Sequence, residues 1–436
     1  MGFTYALLTI GCKVNRVEID TIGAQLDAAG CRRADDSSVS AVFINTCTVT
    51  AEADKKTRKM VRHALKSYPE AMLFIMGCAV AIDPEVYTSM SERVHVVTKP
   101  EAPKVALEML HASALPCSDR GFVSSSGELS ADQSLESSDA SDGSSEGLRV
   151  GHNYRTRVNL KVQDGCDNAC TFCIVHVARG ASVSAPFDQV VAEAKRYGEA
   201  GVRELVLSGI NLAKYSSEGH DISDLMRALL DAHDGYRLRL GSVEPLDVDE
   251  KLISLMASEP ARICHHLHLP LQSGSSKVLA EMNRNYSAEF FRDLVDRLYA
   301  AMPELSLSTD IIVGFPGETG EDFAETIDMA RYARFSRIHV FRYSKRSGTP
   351  AAERNDQISP EMSAARGKEL SALGALLHEE DMRRRCGHVE QVLVEQLGKG
   401  MTGSYHGISF TEDSYPVGSL VEVELPATFK DGMYCL

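Results

Sequence analysis

Short apolar runs alternate with amphipathic stretches along most of the chain. In the first hundred residues TYALLTIG, AVFINT and MLFIMG are separated by NRVEIDTIGAQLDAAG, by a polar stretch ending near Tyr68, and by a further helical period near 101–112. Each run is too short for a buried helix and is followed by a 3.6-residue period, which predicts a parallel sheet with helices packed on it. The alternation breaks over 118–147, where eleven serines and seven acids accompany a single arginine, Arg120. Such a stretch cannot bury enough surface to offset the entropy of ordering, so it reads as a linker or surface insertion. The pattern then resumes with RVNLKV, ELVLSG, RLRLGSV, HHLHLPL, LSLSTDIIVGF and RIHVFRYS, with helices expected over 187–200, 223–233, 247–257, 287–301 and 320–333. Six strand–helix units predict a barrel or partial barrel, closed by a long helix over roughly 359–386. From Gly387 short strands with Gly-rich turns (QVLVEQL, GSYHGISF, SLVEVELP) predict a small β-barrel. The expected fold is α/β, divided into 1–117, a linker at 118–150, 151–386 and 387–436.

Composition refines this picture in two places. The 436 residues are 44% hydrophobic and 25% charged, which is ordinary for a globular chain of about three domains. No apolar run approaches the ~18 residues of a membrane span, and the N-terminus lacks the features of a signal peptide, so a cytoplasmic protein with no membrane partner is expected. Eleven cysteines without an export signal point to metal or redox chemistry rather than disulfides. The net charge of −15 looks wrong for a nucleic-acid binder, but 118–147 alone contributes −6, and basic clusters stand at Lys55–Arg62 and Arg383–Arg385. Charge therefore neither supports nor excludes RNA.

The cysteines carry the chemistry. Cys166, Cys170 and Cys173 lie within eight residues, just after the first strand of the middle region. Three thiolates at that spacing can hold three corners of a [4Fe–4S] cube and leave the fourth iron open. His176 could complete a zinc site instead, although the second CxxC of a closed zinc knuckle is missing. Cys12, Cys47 and Cys78 are dispersed, but they end LLTIGC, VFINTC and LFIMGC, each just past the carboxyl end of a predicted strand. In a parallel sheet those ends share one edge, so the three thiols are expected to converge as a second three-ligand set. Cys31, Cys117, Cys264, Cys386 and Cys435 have no such company and read as core or incidental thiols.

These residues resemble the radical S-adenosylmethionine (SAM) methylthiotransferases over nearly the whole chain outside the serine-rich insert. CxxxCxxC is the radical-SAM motif, the dispersed trio is similar to the family's auxiliary-cluster set, and the tail resembles a TRAM domain, a small RNA-binding barrel. GCKVN at 11–15, INTCTVT at 44–50, QDGCDNACTFC at 163–173, ARG at 178–180, SGINLAKY at 208–215, LHLPLQSGS at 267–275, DIIVGFPGET at 310–319 and HVFRYSKRSGTPAA at 339–352 look most like the MtaB branch. The chain departs from the usual family pattern at Ala79–Val80–Ala81, His176, Val183 and Arg342, none of them a cysteine.

The resemblance implies methylthiolation of C2 of N6-threonylcarbamoyladenosine at position 37, in the anticodon loop of tRNA. It implies two [4Fe–4S] clusters, SAM and a low-potential electron donor. Cys166, Cys170 and Cys173 would hold the cluster that binds and cleaves SAM, while Cys12, Cys47 and Cys78 would hold the one that carries the inserted sulfur. Ser208, Gly209, Asn211, Glu244, Gln272, Ser273, Gly314 and Gly317 are the expected SAM contacts, each at or beyond a strand end. Arg342, Lys345 and Arg346 could meet tRNA phosphate or the threonylcarbamoyl carboxylate. The tail has seven acids against Lys399 and Lys430, which weakens it as an autonomous RNA binder. The alternatives are the same fold acting on isopentenyladenosine or on a ribosomal-protein aspartate, and a metal-stabilised RNA-binding module without catalysis.

Overall fold

The computed structural model describes residues 3–34, 36–114, 156–411 and 414–436. The expected linker at 118–150 and Cys117 lie outside the described residues. Near the N-terminus five parallel strands stand in the order Arg32–Arg33, Thr4–Thr9, Ala41–Thr46, Met72–Gly77 and Val94–Val96. Ala41–Thr46 is buried along its whole length, as a central parallel strand covered on both faces must be. One face packs Val42, Ile44, Leu73 and Ile75 in one apolar layer; the other packs Phe43, Phe74 and Met76 with Ile19, Ile22 and Leu26 of helix Lys13–Ala28. Helix Ala51–Ser67 starts at Thr50, whose hydroxyl accepts from the Ala53 amide. The two outer strands and the short helices Cys78–Ile82 and Glu85–Thr88 were not anticipated, because two- to five-residue elements carry too little periodicity to register.

Six parallel strands follow in chain order: Arg157–Lys161, Glu204–Ser208, Arg237–Leu240, His266–His268, Ser306–Val313 and Arg337–Arg342. The first three pair in register and so do the last three, and the two halves meet through the Leu238–Ile263 and Ser242–His268 bridges. The intervening helices, including Phe187–Glu199, Ile222–Ala232, Ala288–Ala301 and Gly320–Tyr332, cover the outside and share a single core with the strands. This is the expected partial (β/α)6 barrel. Helix Lys13–Ala28 of the N-terminal unit packs against the first barrel strand. The long helix Pro360–Arg385 covers the sixth and leads into the tail.

The tail is a six-stranded sheet in the order Leu420–Glu424, Val389–Gln396, Lys399–Thr402, Gly407–Ser409, Met433–Cys435 and Phe429–Lys430. It is docked firmly onto the amino-terminal end of the barrel. Arg237 donates to the carbonyl of Gln391 at 2.8 Å, and Arg239 to those of Thr402 and Gly403 at 2.9 and 3.0 Å. Glu204, fully buried, accepts from the Nε of both arginines at 2.7 Å. Burial alone raises its pKa, but Arg239 and Arg237 together hold it well below the usual carboxylate range. Two of the tail's acids are also spent on docking. Glu395 pairs with Arg157 of the first barrel strand at 2.5 Å, and Glu390 with Arg385 at 3.2 Å.

Candidate active site

The strands ending at Thr9, Thr46 and Gly77 are adjacent and in register, with Thr9 opposite Asn45 and Thr46 opposite Gly77. Neighbouring strands lie about 4.8 Å apart, so Cys12, Cys47 and Cys78 are delivered to one edge. Each leaves its strand in a different way. Cys12 caps helix Lys13–Ala28, Cys47 enters a loop, and Cys78 opens helix Cys78–Ile82. Gly11 and Gly77, directly before Cys12 and Cys78, have φ of +124° and +100°, a region that favours glycine. A Cβ on Gly11 would stand 2.9 Å from the Cys47 Cβ, and one on Gly77 would stand 2.3 Å from Asn45 Oδ1. The turns therefore close only on glycine, and they bring the three thiols into electrostatic contact, since Cys47 senses both Cys78 and Cys12.

Cys166, Cys170 and Cys173 form the second trio, in the loop after the first barrel strand, and their thiols likewise sense one another. The amide of Asn168 donates to Cys166 Sγ and that of Val175 to Cys173 Sγ, both at 3.4 Å. Arg284 adds its guanidinium to Cys170 Sγ at 3.4 Å. These are donors suited to thiolates. Burial nevertheless pushes the Cys173 thiol up to about 11 and raises Cys47, Cys78, Cys166 and Cys170 as well. Such thiols ionise when a cation binds them, which suits metal ligands better than free nucleophiles.

The number of thiols in each trio bears on the metal. Among the described residues, the group of three His, Cys, Asp or Glu whose ligand atoms all lie within 4.8 Å of one another is His268, Asp310 and His339. A tetrahedral zinc holds thiolates at about 2.3 Å and therefore about 3.8 Å apart. A closed zinc shell takes four such ligands, and each trio offers three thiols. His176 sits exposed on helix Val175–Arg179.

One side chain joins the two trios. Arg179, its side chain 2% exposed, donates to Glu18 at 2.9 Å, to Asp164 at 2.8 Å and to Asn15 at 2.6 Å, and its charge acts on the Cys78 thiol. Glu18 and Asn15 lie on the helix behind Cys12, and Asp164 lies two residues before Cys166. Burial works against the Glu18 carboxylate, but Arg179, Lys99 and Lys161 bring its pKa down to about 2. Helix Cys78–Ile82 packs directly on helix Val175–Arg179. In the sequence Arg179 stood out only as the middle of an ARG triplet. Arg346 clamps the opposite side of the interface by bonding the carbonyl and hydroxyl of Thr48, just beyond Cys47. Of the three basic residues expected to meet RNA or carboxylate, Arg346 is thus engaged within the protein. Arg342 and Lys345 line a cavity of about 790 Å³ between the N-terminal unit and the barrel mouth, with Gly11 and Gly314 in its wall.

The expected SAM residues fall into two groups. Glu244 lies beside the second trio, paired with Arg284 at 3.0 Å, and its pKa is raised by burial. Asn211 is buried with its Oδ1 unpartnered, beside Gln163, whose Oε1 accepts the amides of Ile210 and Asn211 at 2.9 and 2.8 Å. Gln272 has a positive φ of 65° and pairs through its backbone with Asp310 and Ile312 of the fifth strand. Ser208, Gly209, Ser273, Gly314 and Gly317 each lie close against other parts of the chain. The Ser208 hydroxyl donates to Val206, and the Ser273 hydroxyl meets Thr326 of an outer helix at 3.4 Å. A Cβ on Gly209, Gly314 or Gly317 would meet Gln163, Ser363 or Arg354 within 2.9 Å.

The chain is similar to known proteins over nearly its whole length. The Radical SAM superfamily profile matches residues 160–330, and the profile described as Uncharacterized protein family UPF0004 matches residues 4–98. The threonylcarbamoyladenosine tRNA methylthiotransferase MtaB of Bacillus subtilis is 33% identical over 97% of this chain and 93% of its own. The same enzyme of Thermotoga maritima is 31% identical over 92% and 89%. A tRNA-2-methylthio-N(6)-dimethylallyladenosine synthase of Acidothermus cellulolyticus is 34% identical over 91% and 78%. Among solved structures, the radical SAM methyltransferase TsrM of Kitasatospora setae superposes with a TM-score of 0.56 over 81% of this chain and 74% of its own, at 15% identity, a likeness of fold.

Proposed function

The chain belongs to the radical SAM methylthiotransferase family, and from that premise we infer that it adds a methylthio group to C2 of N6-threonylcarbamoyladenosine at position 37 of tRNA. Its cofactors are SAM and two [4Fe–4S] clusters. Cys166, Cys170 and Cys173 would hold one cluster and Cys12, Cys47 and Cys78 the other. When bound, these groups supply reductive cleavage of SAM to a carbon radical and the sulfur to be transferred. The observation that carries the reading is the convergence of Cys12, Cys47 and Cys78 on the sheet edge facing the second trio. A SAM-cleaving barrel alone has no use for that set.

The chain's own residues do the positioning. Arg179 locks the helix behind Cys12 to the loop before Cys166, which fixes the separation of the two thiol sets. Arg284 keeps a positive charge on Cys170 and is itself held by Glu244. Gln163 shapes the loop after the second barrel strand, where Asn211 presents its unpartnered oxygen for a ligand. The anticodon loop would enter through the cavity walled by Arg342 and Lys345. A low-potential donor in the cytoplasm would supply the electrons. Nucleoside mass spectrometry of tRNA from a deletion strain tests the reading. The methylthio-threonylcarbamoyl nucleoside is expected to vanish, and an unchanged profile refutes the assignment. Loss of the methylthio-isopentenyl nucleoside instead would move the chain to the sister specificity.

A further inference from the structure

The amino-terminal end of the barrel is stoppered by the tail. Tyr405, at a φ of +71°, pushes its ring into that end and lies 4.7 Å, centroid to centroid, from His266 of the fourth strand. Four cations from the N-terminal unit and the barrel surround it. Arg239, Lys13, Arg157 and Arg337 stand 4.9, 5.6, 5.7 and 5.9 Å from the ring centroid. Two of the four have carboxylate partners, Arg239 with Glu204 at 2.7 Å and Arg157 with Glu395 at 2.5 Å. Lys13 and Arg337 have none among the described residues. Side chains alternate along a strand, and Ile338 packs outward on Gly374 of the long helix, so Arg337 and His339 face inward.

The same floor reaches both thiol sets. Lys13 directly follows Cys12, and it lines a cavity of about 470 Å³ with Arg16, Arg157 and Tyr405. Above it His268 pairs with Asp310 at 3.3 Å, and the His268 and His339 rings lie 5.7 Å apart. His339 in turn lies within electrostatic reach of Lys13 and Arg337. Asp310 lies within the same reach of Glu244, the partner of Arg284, which touches Cys170. Three carboxylates around this space are held by arginines, Glu204 by Arg239, Glu395 by Arg157 and Glu244 by Arg284, while Asp310 meets the His268 ring. Two cations without a carboxylate partner among the described residues, beside one aromatic ring, attract an anion.

We propose that Lys13 and Arg337 form a carboxylate-binding subsite on the floor of the chamber, which receives the acidic side chain carried on N6 of the target adenine. The assignment rests on the function proposed above and deepens it. The subsite makes the enzyme selective for an anionic threonylcarbamoyl group over an apolar isopentenyl one, because only the former neutralises the floor. His268 and His339 supply polar partners for the carbamoyl and hydroxyl groups of the same side chain.

The test uses the reconstituted full-length enzyme and two anticodon stem-loop RNAs. One carries N6-threonylcarbamoyladenosine at position 37; the other carries the same group with its carboxylate converted to a neutral carboxamide. The wild-type enzyme is expected to bind the acid-bearing loop about tenfold or more tightly, the range of one charge-assisted hydrogen bond. Lys13→Gln and Arg337→Gln should each collapse that preference by weakening the acid-bearing loop alone. Arg337→Lys should retain it in part. Both loops have the same phosphates, so equal weakening of the two assigns these cations to the RNA backbone and overturns the proposal; an unchanged preference in both Gln variants overturns it too. If Lys13→Gln fails to assemble its clusters, Arg337→Gln, in another domain, reads the same contrast. Should the wild type fail to methylthiolate the acid-bearing loop, the proposed function itself falls. Turnover of that loop with the preference intact in the variants sinks only the subsite.

Discussion

Arg179 is the residue whose loss should separate SAM cleavage from sulfur transfer. Its buried guanidinium satisfies Glu18 and Asn15 on one side of the domain interface and Asp164 on the other. Arg179→Leu leaves the two carboxylates without their shared cation. Breaking a buried pair costs about 3–5 kcal/mol, and the low end applies, because Lys99 and Lys161 remain on Glu18 and Lys161 remains on Asp164. A loss of about 3 kcal/mol at an interface lowers the unfolding temperature by roughly 6–12 °C for a unit of 150–250 residues. The chemical consequence is more specific than the thermal one. The thiol sets stay whole on their own domains, so SAM is still cleaved, but the Cys12, Cys47 and Cys78 set is no longer held at a fixed distance from the substrate carbon. Reconstituted variant should therefore yield 5′-deoxyadenosine with a much reduced share of methylthiolated nucleoside. Arg179→Lys, which keeps the charge but loses the planar fork, should fall between the two. The measurement is the ratio of methylthio product to 5′-deoxyadenosine, by mass spectrometry of one reaction. A variant that loses both products in proportion, or neither, refutes the positioning role.

Three other outcomes follow from the same geometry. Cys47→Ala removes a thiol from the first trio only, so reductive SAM cleavage should survive while methylthio product disappears and iron falls from about eight to about four per chain; continued product would discredit the sulfur-carrying role of that trio. Glu204→Gln takes the charge from a carboxylate held by Arg237 and Arg239 at the floor. It should cost about 3–5 kcal/mol and make the bond between barrel and tail susceptible to limited proteolysis, whereas wild-type resistance would count against the tail being an integral stopper. Glu18 has its pKa depressed from 4.5 to about 2, so the unfolded chain binds the extra proton between those values and stability falls as the pH drops through that window. The loss should approach about 3 kcal/mol at the acid end, read as the urea midpoint of the cluster-free chain, and Glu18→Gln should remove that part of the pH dependence.

What the sequence discloses here depends on the distance over which a feature is encoded. The strands and long helices were legible because their periodicity is local, and Cys166, Cys170 and Cys173 because eight residues enclose them. Cys12, Cys47 and Cys78 were legible one step further out: each ends an apolar strand, and a parallel sheet aligns such ends without further instruction. The chamber floor has no such rule. Lys13, Arg337 and Tyr405 belong to three domains and meet only because the tail docks on Arg237 and Arg239, neither of which departs from an ordinary polar strand position in the sequence. The tail's acidity is partly internal for the same reason. Its seven acids against two lysines weaken it as an autonomous RNA binder, and of those acids Glu390 and Glu395 are held by Arg385 and Arg157. Charge counted along a chain includes groups that fold into pairs; only the unpaired remainder acts on a ligand. Around Tyr405 that remainder is Lys13 and Arg337, so an acidic protein sets two cations without a carboxylate partner, among the described residues, at the end of the barrel and next to Cys12.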